Sequence, residues 1–259
     1  MAKSTKKYSK KKLSTSRKII IGFASLLLLS GLVFVGYFLN NSIHSWEPNP
    51  NSYTEVINNK NYKISEKSSY YSIYPSIGEP DNGLIVYQGA FADARAYLAP
   101  YSKLADSGIA VFIVRSPFAF ALFNVGGAKK IIADNPQINN WYMAGHSLGG
   151  VAACEYAKAN AQKISGLILL GSFCNGDAKN INTKVLSVST SKDGLSTPEK
   201  IQQSKDMLPK NTDFVIIDGG NHSQFADLEK LQPGDNEATI TQDEATSKIN
   251  DAIINFIIK

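Results

Sequence analysis

The sequence predicts an α/β protein: a three-layer α/β/α sandwich around a mostly parallel, doubly wound sheet, preceded by one N-terminal transmembrane helix. Short apolar runs alternate with helical patterns from residue 83 to residue 258, which is typical of parallel strands joined by helices. Ahead of this alternation, residues 19–39 form a run of 21 residues without a charge. A helix of that length measures about 30 Å and is long enough to cross a bilayer.

The N-terminal segment has the pattern of a membrane signal-anchor. Residues 1–18 contain eight Lys or Arg and no acid, so the positive-inside rule predicts a cytoplasmic tail and an exported domain. The alternative is a cleaved signal peptide, whose apolar region usually spans about 7–15 residues and ends in a small-residue site. Residues 40–45 offer no such site. The sequence therefore favours a single-pass protein of the cell membrane over a secreted protein or a buried core helix.

The distribution of charge argues against a nucleic-acid partner. The formal net charge is +5, but eight of the 27 basic residues lie in residues 1–18. The remaining 19 basic and 22 acidic residues give the rest of the chain a net charge of −3. No basic surface for nucleic acid is predicted.

A polar linker is predicted between the membrane helix and the domain. Residues 40–52 include Pro48 and Pro50, and His44 falls among them. The domain then spans residues 53–259. It is predicted to open with antiparallel strands at 53–57, 61–64 and 69–74, because β-forming residues there are separated by turn residues.

The parallel sheet is predicted from six apolar runs and the helical patterns that separate them. The strands are 83–88, 109–114, 141–144, 164–170, 185–189 and 214–217. The helices are 95–107, 120–133, 150–163, 198–207 and 244–258. In such a sheet ligands bind at the carboxyl ends of the strands, so the residues that follow each strand are the candidates for a site.

A serine motif follows the third of these strands. Gly145-His146-Ser147-Leu148-Gly149 matches G-x-S-x-G and lies between an apolar run and a helical pattern. This arrangement is typical of a strand, a sharp turn and a helix with a serine at the apex. A turn this tight leaves no room for Cβ atoms two residues to either side, which explains the two glycines. Ser147 is therefore a candidate nucleophile.

The base is predicted by elimination among three histidines. His44 lies in the linker, and the turn geometry directs the His146 side chain away from Ser147. His222 follows the last parallel strand, at the edge of the sheet where Ser147 is expected. His222 is therefore the candidate base.

Asp193 is the preferred partner for the base. It lies in the loop after the fifth parallel strand, so the candidates occur in the order Ser, Asp, His, which is the order found in α/β-hydrolases. Asp177, after the fourth parallel strand, and Asp218 remain alternatives for the acid.

Several motifs together resemble a known family. Residues 83–240 resemble the α/β-hydrolase superfamily and, more closely, the alpha/beta hydrolase fold-five family of small bacterial proteins. The matching segments are YQGAFADARAY (87–97), WYMAGHSLGGVAA (141–153), SKDGLSTPEKI (191–201), LPKNTDFVIIDGGNHSQF (208–225) and QPGDNEATI (232–240). The resemblance implies Ser147 as nucleophile, Asp193 as acid and His222 as base.

Two main-chain N–H groups are expected to bind the negative oxygen of a tetrahedral intermediate. The N–H of Leu148 begins a helix, and that of Ala90 follows the first parallel strand, with Phe91 as the alternative to Ala90. Ala90 departs from the family, in which a second glycine is expected at this position.

The sequence thus predicts a carboxylesterase-like serine hydrolase that cleaves a small or accessible acyl ester through an acyl-enzyme. No metal or organic cofactor is expected. The predicted partners are a small-molecule ester and, through the N-terminal helix, a membrane. A catalytically silent α/β-hydrolase domain used for surface binding and a serine acyltransferase are the alternatives.

For the residues around the site, the sequence predicts the size of the cap but leaves several roles open. Only residues 171–183 separate the fourth parallel strand from the strand that precedes Asp193, so a minimal fold without a large cap is expected. Asp93 and Arg95 either frame the site or cap a helix. Asp235 is assigned to a structural turn near His222, with binding of substrate or of an ion as the alternative. Core positions are favoured over an acyl pocket for three phenylalanines, Phe118, Phe120 and Phe123.

Two cysteines, Cys154 and Cys174, are present in the chain. They form a disulfide in an exported protein or remain two small buried thiols. Their spacing does not match a metal site.

Overall fold

The structure, a computed structural model, describes residues 14–43 and 46–258. These residues form two units that divide between residues 43 and 46. Most of the predicted basic tail, and His44 of the predicted linker, lie outside the described residues.

The first unit is a single helix, α1 (Thr15–Ile43). Residues 15–42 of this helix form a segment that is long and apolar enough to cross a membrane. Within the described ranges, no other helix has this property. The side chains of α1 are exposed along the predicted span of 19–39, except for that of Phe38, which is half-buried. The helix extends beyond that span at both ends, because neither end carries a Pro or Gly that would stop it.

The second unit is built on an eight-stranded sheet in the order β1-β2-β4-β3-β5-β6-β7-β8. The strands β1 and β2 are antiparallel and form one edge, and the pairs from β3 to β8 are parallel. The predicted fold class is confirmed, and a strand lies at each of the six predicted parallel positions. In chain order from β1 to β8 the strands are Tyr62–Glu66, Tyr70–Pro75, Asn82–Tyr87, Ile109–Val114, Asn140–His146, Gly166–Leu170, Lys184–Thr190 and Asp213–Ile217.

Helices cover both faces of the sheet. In chain order from α2 to α7 they are Pro50–Asn58, Leu98–Ser102, Gly127–Asp134, Leu148–Asn160, Pro198–Ser204 and Gln242–Ile258. The predicted helix at 95–107 is broken into the short α3 flanked by 3₁₀ turns, since Pro100 has no N–H to donate to the preceding turn. The predicted helix at 120–133 is shortened to α4, which begins after Gly126.

The predictions at the start of the domain are wrong in two respects. Residues 53–57 lie in helix α2, where Asn49 caps the first turn, Pro50 occupies its start and Val56 is buried. These local helix signals outweigh the β-forming side chains. From Trp46 onward the predicted linker is also part of the domain, because the N–H of Trp46 donates to the carbonyl of Phe91 at 2.7 Å and that of Asn49 to Asp227 at 2.9 Å.

Alternate residues of the strands point into two separate cores. Leu84 and Val86 of β3 face the side covered by α7, whereas Ile85 and Tyr87 face the side covered by α5. This alternation buries both faces of the sheet and leaves its carboxyl edge for loops. The loops after β3, β5, β6, β7 and β8 therefore meet at one edge, where the candidate residues lie.

Candidate active site

Ser147 occupies a strained turn between β5 and α5. Its backbone has φ 53° and ψ −124°, a left-handed φ that is rare for a residue with a side chain. A Cβ on Gly145 would overlap the carbonyl of Gly149, and a Cβ on Gly149 would overlap the carbonyl of Tyr87. The two glycines therefore allow the helix to begin directly against β3. We call residues 145–149 the Ser147 turn.

Asp193 and His222 are brought together from two different loops. The Asp193 loop (residues 191–196) follows β7, and the His222 loop (residues 218–223) follows β8. Nδ1 of His222 lies 2.7 Å from Oδ2 of Asp193, and both side chains are buried. Oδ1 of Asp193 accepts two main-chain N–H groups, from Leu195 at 2.8 Å and from Ser196 at 2.6 Å. Hydrogen bonds to both oxygens thus fix the orientation of the Asp193 carboxylate.

The His222 ring also contacts the Ser147 turn. Within the described part of the chain, Nε2 of His222 is buried and has no hydrogen-bond partner. The ring lies against that of His146, with 4.5 Å between the ring centroids. The structure therefore brings the His222 ring against the turn without a hydrogen bond to Ser147. Such bonds are often long before a substrate binds.

His146 is held by a hydrogen bond with Tyr97. The Tyr97 hydroxyl accepts the N–H of Gly89 at 2.8 Å and lies 2.8 Å from Nδ1 of His146. Burial and the neighbouring His222 hold the pKa of His146 well below its usual value, so its ring is neutral. His146 is thus a packed neighbour of the site.

The loop after β3 presents one unused main-chain donor. The N–H of Phe91 donates to the carbonyl of Ala119 at 2.7 Å, which removes Phe91 as a donor to a substrate. Among the described residues, no hydrogen bond uses the N–H of Ala90 or that of Leu148. Both of these N–H groups therefore remain available at the same edge of the sheet.

Strained backbone is concentrated around this loop. Within the described ranges, four residues other than glycine have a positive φ: Phe91, Phe118, Ala119 and Ser147. Three of them belong to the loop after β3 and to the segment bonded to it. Strain of this kind clusters at functional sites.

The alternative acids lie away from His222. Asp177 is exposed and accepts the N–H of Lys179 at 2.9 Å. Asp218 is exposed and accepts the hydroxyl of Ser191 at 2.8 Å. Of the three candidates, Asp193 is the one in contact with the imidazole.

Asp93 and Arg95 form a helix cap with an ion pair. Oδ1 of Asp93 accepts the N–H of Arg95 at 2.8 Å, and the guanidinium lies 2.6 Å from Oδ2 of Asp93 and 2.7 Å from Glu47. Of the two roles that the sequence leaves open for these residues, framing the site or capping a helix, they have the capping role. The expected core position of the phenylalanines is wrong for Phe118 and Phe123, which are 53% and 57% exposed.

A disulfide joins the helix after Ser147 to the loop after β6. Cys154 of α5 is bonded to Cys174. The same loop carries Ser172, whose hydroxyl donates to the carbonyl of Ser147 at 2.6 Å. Within residues 14–43 and 46–258, no cluster of His, Cys, Asp or Glu is suited to hold a metal ion.

Sequence reasoning missed Tyr97 and Ser172. Each forms a hydrogen bond to a residue of the Ser147 turn, from 49 and 25 positions away in the chain. Neither residue belongs to a motif of fixed spacing around the serine. No signal in the single sequence marks such partners, since only the folding of the sheet brings them together.

Comparison with known families identifies the domain. The model of the alpha/beta hydrolase family matches residues 83–247, which is more than half of the chain. The chain therefore belongs to the alpha/beta hydrolase family. No match was found among curated protein sequences.

Several solved structures share the fold. Est1E from Butyrivibrio proteoclasticus is 15% identical and has a TM-score of 0.54, over 77% of this chain and 100% of that chain. Dienelactone hydrolase from Anabaena variabilis is 13% identical with a TM-score of 0.58, over 76% and 98%. Monoacylglycerol lipase from Paleococcus ferrophilus is 13% identical with a TM-score of 0.56, over 75% and 99%. At these identities the likeness is one of fold.

Proposed function

We propose that the chain is a serine hydrolase of carboxylic esters that uses Ser147, His222 and Asp193 as a triad. The observation that supports this most directly is the buried His222–Asp193 pair, whose ring leaves Nε2 unpaired against the strained turn at Ser147. A base oriented by a carboxylate beside an activated serine is the arrangement needed for acyl transfer.

The reaction proceeds in two halves. Nε2 of His222 takes the proton of the Ser147 hydroxyl as Oγ attacks the ester carbonyl, and the resulting imidazolium gives that proton to the departing alcohol. Water then attacks the acyl-enzyme with its proton passing to Nε2, and the return of this proton to Ser147 releases the acid. Asp193 keeps the proton of His222 on Nδ1, so that Nε2 is the basic nitrogen.

The main-chain N–H groups of Leu148 and Ala90 bind the oxyanion of each tetrahedral intermediate. Leu148 is the first residue of α5, where N–H groups have no partner inside the helix. One donor of this kind contributes about 2.7–4 kcal/mol to the stability of the transition state. The alanine at position 90 supplies this N–H without the second glycine expected from the family resemblance.

The substrate is a small or accessible ester. The loop between β6 and β7 spans only residues 171–183 and is fixed by the Cys154–Cys174 disulfide, which leaves no large cap over the site. Est1E, a dienelactone hydrolase and a monoacylglycerol lipase share the fold, and these names are compatible with action on an ester.

The domain acts outside the cytoplasmic membrane, to which α1 anchors it. The helix is long enough to span a bilayer and follows a basic N-terminal segment. The disulfide supports export, because disulfides persist in oxidising compartments.

Covalent labelling tests the proposed chemistry. A fluorophosphonate probe should label the full-length protein in detergent, and Ser147→Ala should abolish labelling. The matched control is Ser204→Ala, because this hydroxyl only donates to the carbonyl of Ile201 in a remote helix. A folded wild-type protein that is not labelled would support a silent binding domain instead. Transfer of the acyl group to an added alcohol in preference to water would support an acyltransferase.

A second assay tests substrate size. Esters of graded acyl-chain length should show the highest kcat/KM for short chains. A clear preference for long chains would contradict the proposed open site.

A further inference from the structure

The segment at residues 232–236 lies against both of the loops that carry the proposed acid and base. A Cβ on Gly194 would overlap the carbonyl of Gly234 and would lie 2.9 Å from the Cα of Asp235. The segment also accepts the side-chain amide of Asn221 through the carbonyl of Asn236 at 2.7 Å. The segment therefore packs against both the Asp193 loop and the His222 loop.

The carboxylate of Asp235 binds main-chain groups of both loops. Oδ1 of Asp235 accepts the N–H of Gly194 at 3.0 Å and the N–H of His222 at 3.2 Å. Oδ2 accepts the N–H and the hydroxyl of Ser223, each at 2.8 Å. Gly194 directly follows Asp193, so one side chain fixes the main chain of the proposed base and of the residue beside the proposed acid.

We propose that Asp235 is a positioning residue that sets the distance and orientation between His222 and Asp193. This inference rests on the proposed function for its effect on turnover. The effect on the His222–Asp193 hydrogen bond is independent of any catalysed reaction.

The need for such a residue follows from the topology. The Asp193 and His222 loops leave different strands, and their imidazole and carboxylate must meet at 2.7 Å. The loops bond to each other directly through the N–H of Lys192, which donates to the carbonyl of Gly220 at 2.8 Å, and through the hydroxyl of Ser191, which donates to Asp218 at 2.8 Å. Asp235 adds a link through a third segment, because its carboxylate accepts N–H groups of both loops. Contacts at several points along the loops oppose their rotation about any single contact.

The chemistry of the contacts requires a carboxylate. In addition to the four donors from the two loops, Oδ1 of Asp235 accepts the N–H of its neighbour Asn236 at 2.9 Å. An ionised carboxylate accepts on both oxygens and has no hydrogen to clash with these donors. An asparagine in place of Asp235 would present its NH₂ group to the N–H donors that bond to one of the two oxygens. Those donors would then face another donor and lose their hydrogen bonds.

The test compares Asp235→Asn with wild type in the full-length protein in detergent. We expect kcat for a short-chain ester to fall about 10- to 100-fold with KM nearly unchanged, because a displaced base weakens the transition state more than substrate binding. The low-field proton NMR resonance of the His222–Asp193 hydrogen bond should shift or broaden. Replacement of a residue that only stabilises the fold would leave this resonance unchanged in a folded protein.

The matched control is Asp81→Asn. The Asp81 carboxylate also joins two groups, the side-chain amides of Asn139 and Asn140 at 2.6 and 2.7 Å, but at the opposite edge of the sheet. This variant should keep both the wild-type kcat and the low-field resonance. A folded Asp235→Asn variant with an unchanged resonance would overturn the proposal, whether or not its activity falls.

A second variant covers the case in which Asp235→Asn does not fold. Ser223→Ala removes one of the two hydrogen bonds to Oδ2 and should cause a smaller change of the same resonance in the same direction. An unchanged resonance in Ser223→Ala would then overturn the proposal. If the wild-type protein hydrolyses no ester, the proposed function fails, and the resonance still decides the role of Asp235.

Discussion

The Ser147 turn and the two loops of the His222–Asp193 pair lie at the same edge of the sheet but are held by different contacts. The turn is marked by two glycines close together in sequence, Gly145 and Gly149, which allow main-chain contacts that no Cβ would permit. The Asp193 and His222 loops are held by hydrogen bonds between residues 29 and 41 positions apart, and no short motif marks these contacts. The difference teaches that a local motif indicates the serine of the proposed triad, whereas only the tertiary structure shows how the acid and the base meet.

Removal of either reacting side chain should have the largest effect on activity. We expect Ser147→Ala and His222→Ala each to lower kcat/KM by about 10⁴-fold or more, because the triad acts as a unit. Initial rates with a short-chain ester measure this effect, and the double variant should lose little more than either single one. Turnover near the wild-type value in either variant would contradict the proposed triad.

The steric constraint on the Ser147 turn is tested by Gly149→Ala. The added methyl group meets the carbonyls of Tyr87 and Gln88, so we expect a loss of about 3 kcal/mol or more in the free energy of unfolding. Gly126→Ala is the matched control, because among the described residues no atom beyond its neighbours in the chain lies within 4 Å of its Cβ position. Denaturant unfolding of both variants checks this. Equal stability of the two would contradict steric specification of the turn.

The disulfide connects helix α5, which follows the Ser147 turn, to the loop after β6, and its loss should have a slightly smaller effect. Replacement of Cys154 and Cys174 by alanine opens a link across 20 positions, which we expect to lower the free energy of unfolding by about 3 kcal/mol. Wild-type protein in dithiothreitol should show the same thermal shift as this double variant. A stability unaffected by both treatments would show that the link is not formed.

The pH dependence of stability should reveal the neutral His146. Its pKa is lowered in the folded protein, so the unfolded chain binds a proton more readily below about pH 6.5. Stability is therefore fully present above that pH and falls as the pH decreases, by up to about 1.4 kcal/mol per pH unit. In His146→Asn, whose side-chain amide can still form a hydrogen bond with the Tyr97 hydroxyl, thermal melts between pH 5 and 7.5 should show a shallower slope. Parallel slopes for the two proteins would contradict a neutral, buried His146.

Much of the fold could be predicted from the sequence because buried parallel strands are short continuous apolar runs. All six predicted runs are strands, and the order of Ser147, Asp193 and His222 placed each after a strand end. The secondary-structure predictions failed where a short local signal, such as a helix cap, a proline or a glycine, interrupted the general pattern of residue types. The Asn49-Pro50 cap turned a predicted strand into helix α2, and Pro100 and Gly126 interrupted two predicted helices.

The side chains around the site were predicted less well. Phe118 and Phe123 are exposed although a core position was expected, because aromatic spacing alone does not indicate which surface covers a residue. Asp235 was assigned to a structural turn, and its contacts with both loops had no signal in the sequence. Pairs far apart in the chain cannot be identified from one sequence.

By itself, the sequence determined the membrane-spanning length of the N-terminal helix, the parallel sheet and the glycine-flanked turn at Ser147. Each of these features leaves a signal within a few consecutive residues, an apolar run or a glycine-flanked serine, so local composition indicates it. The tertiary structure alone decided that Asp193 and not Asp177 or Asp218 meets His222, that Cys154 pairs with Cys174, and that Asp235 holds two loops together. Each of these depends on strand ends that become neighbours only when the sheet has formed.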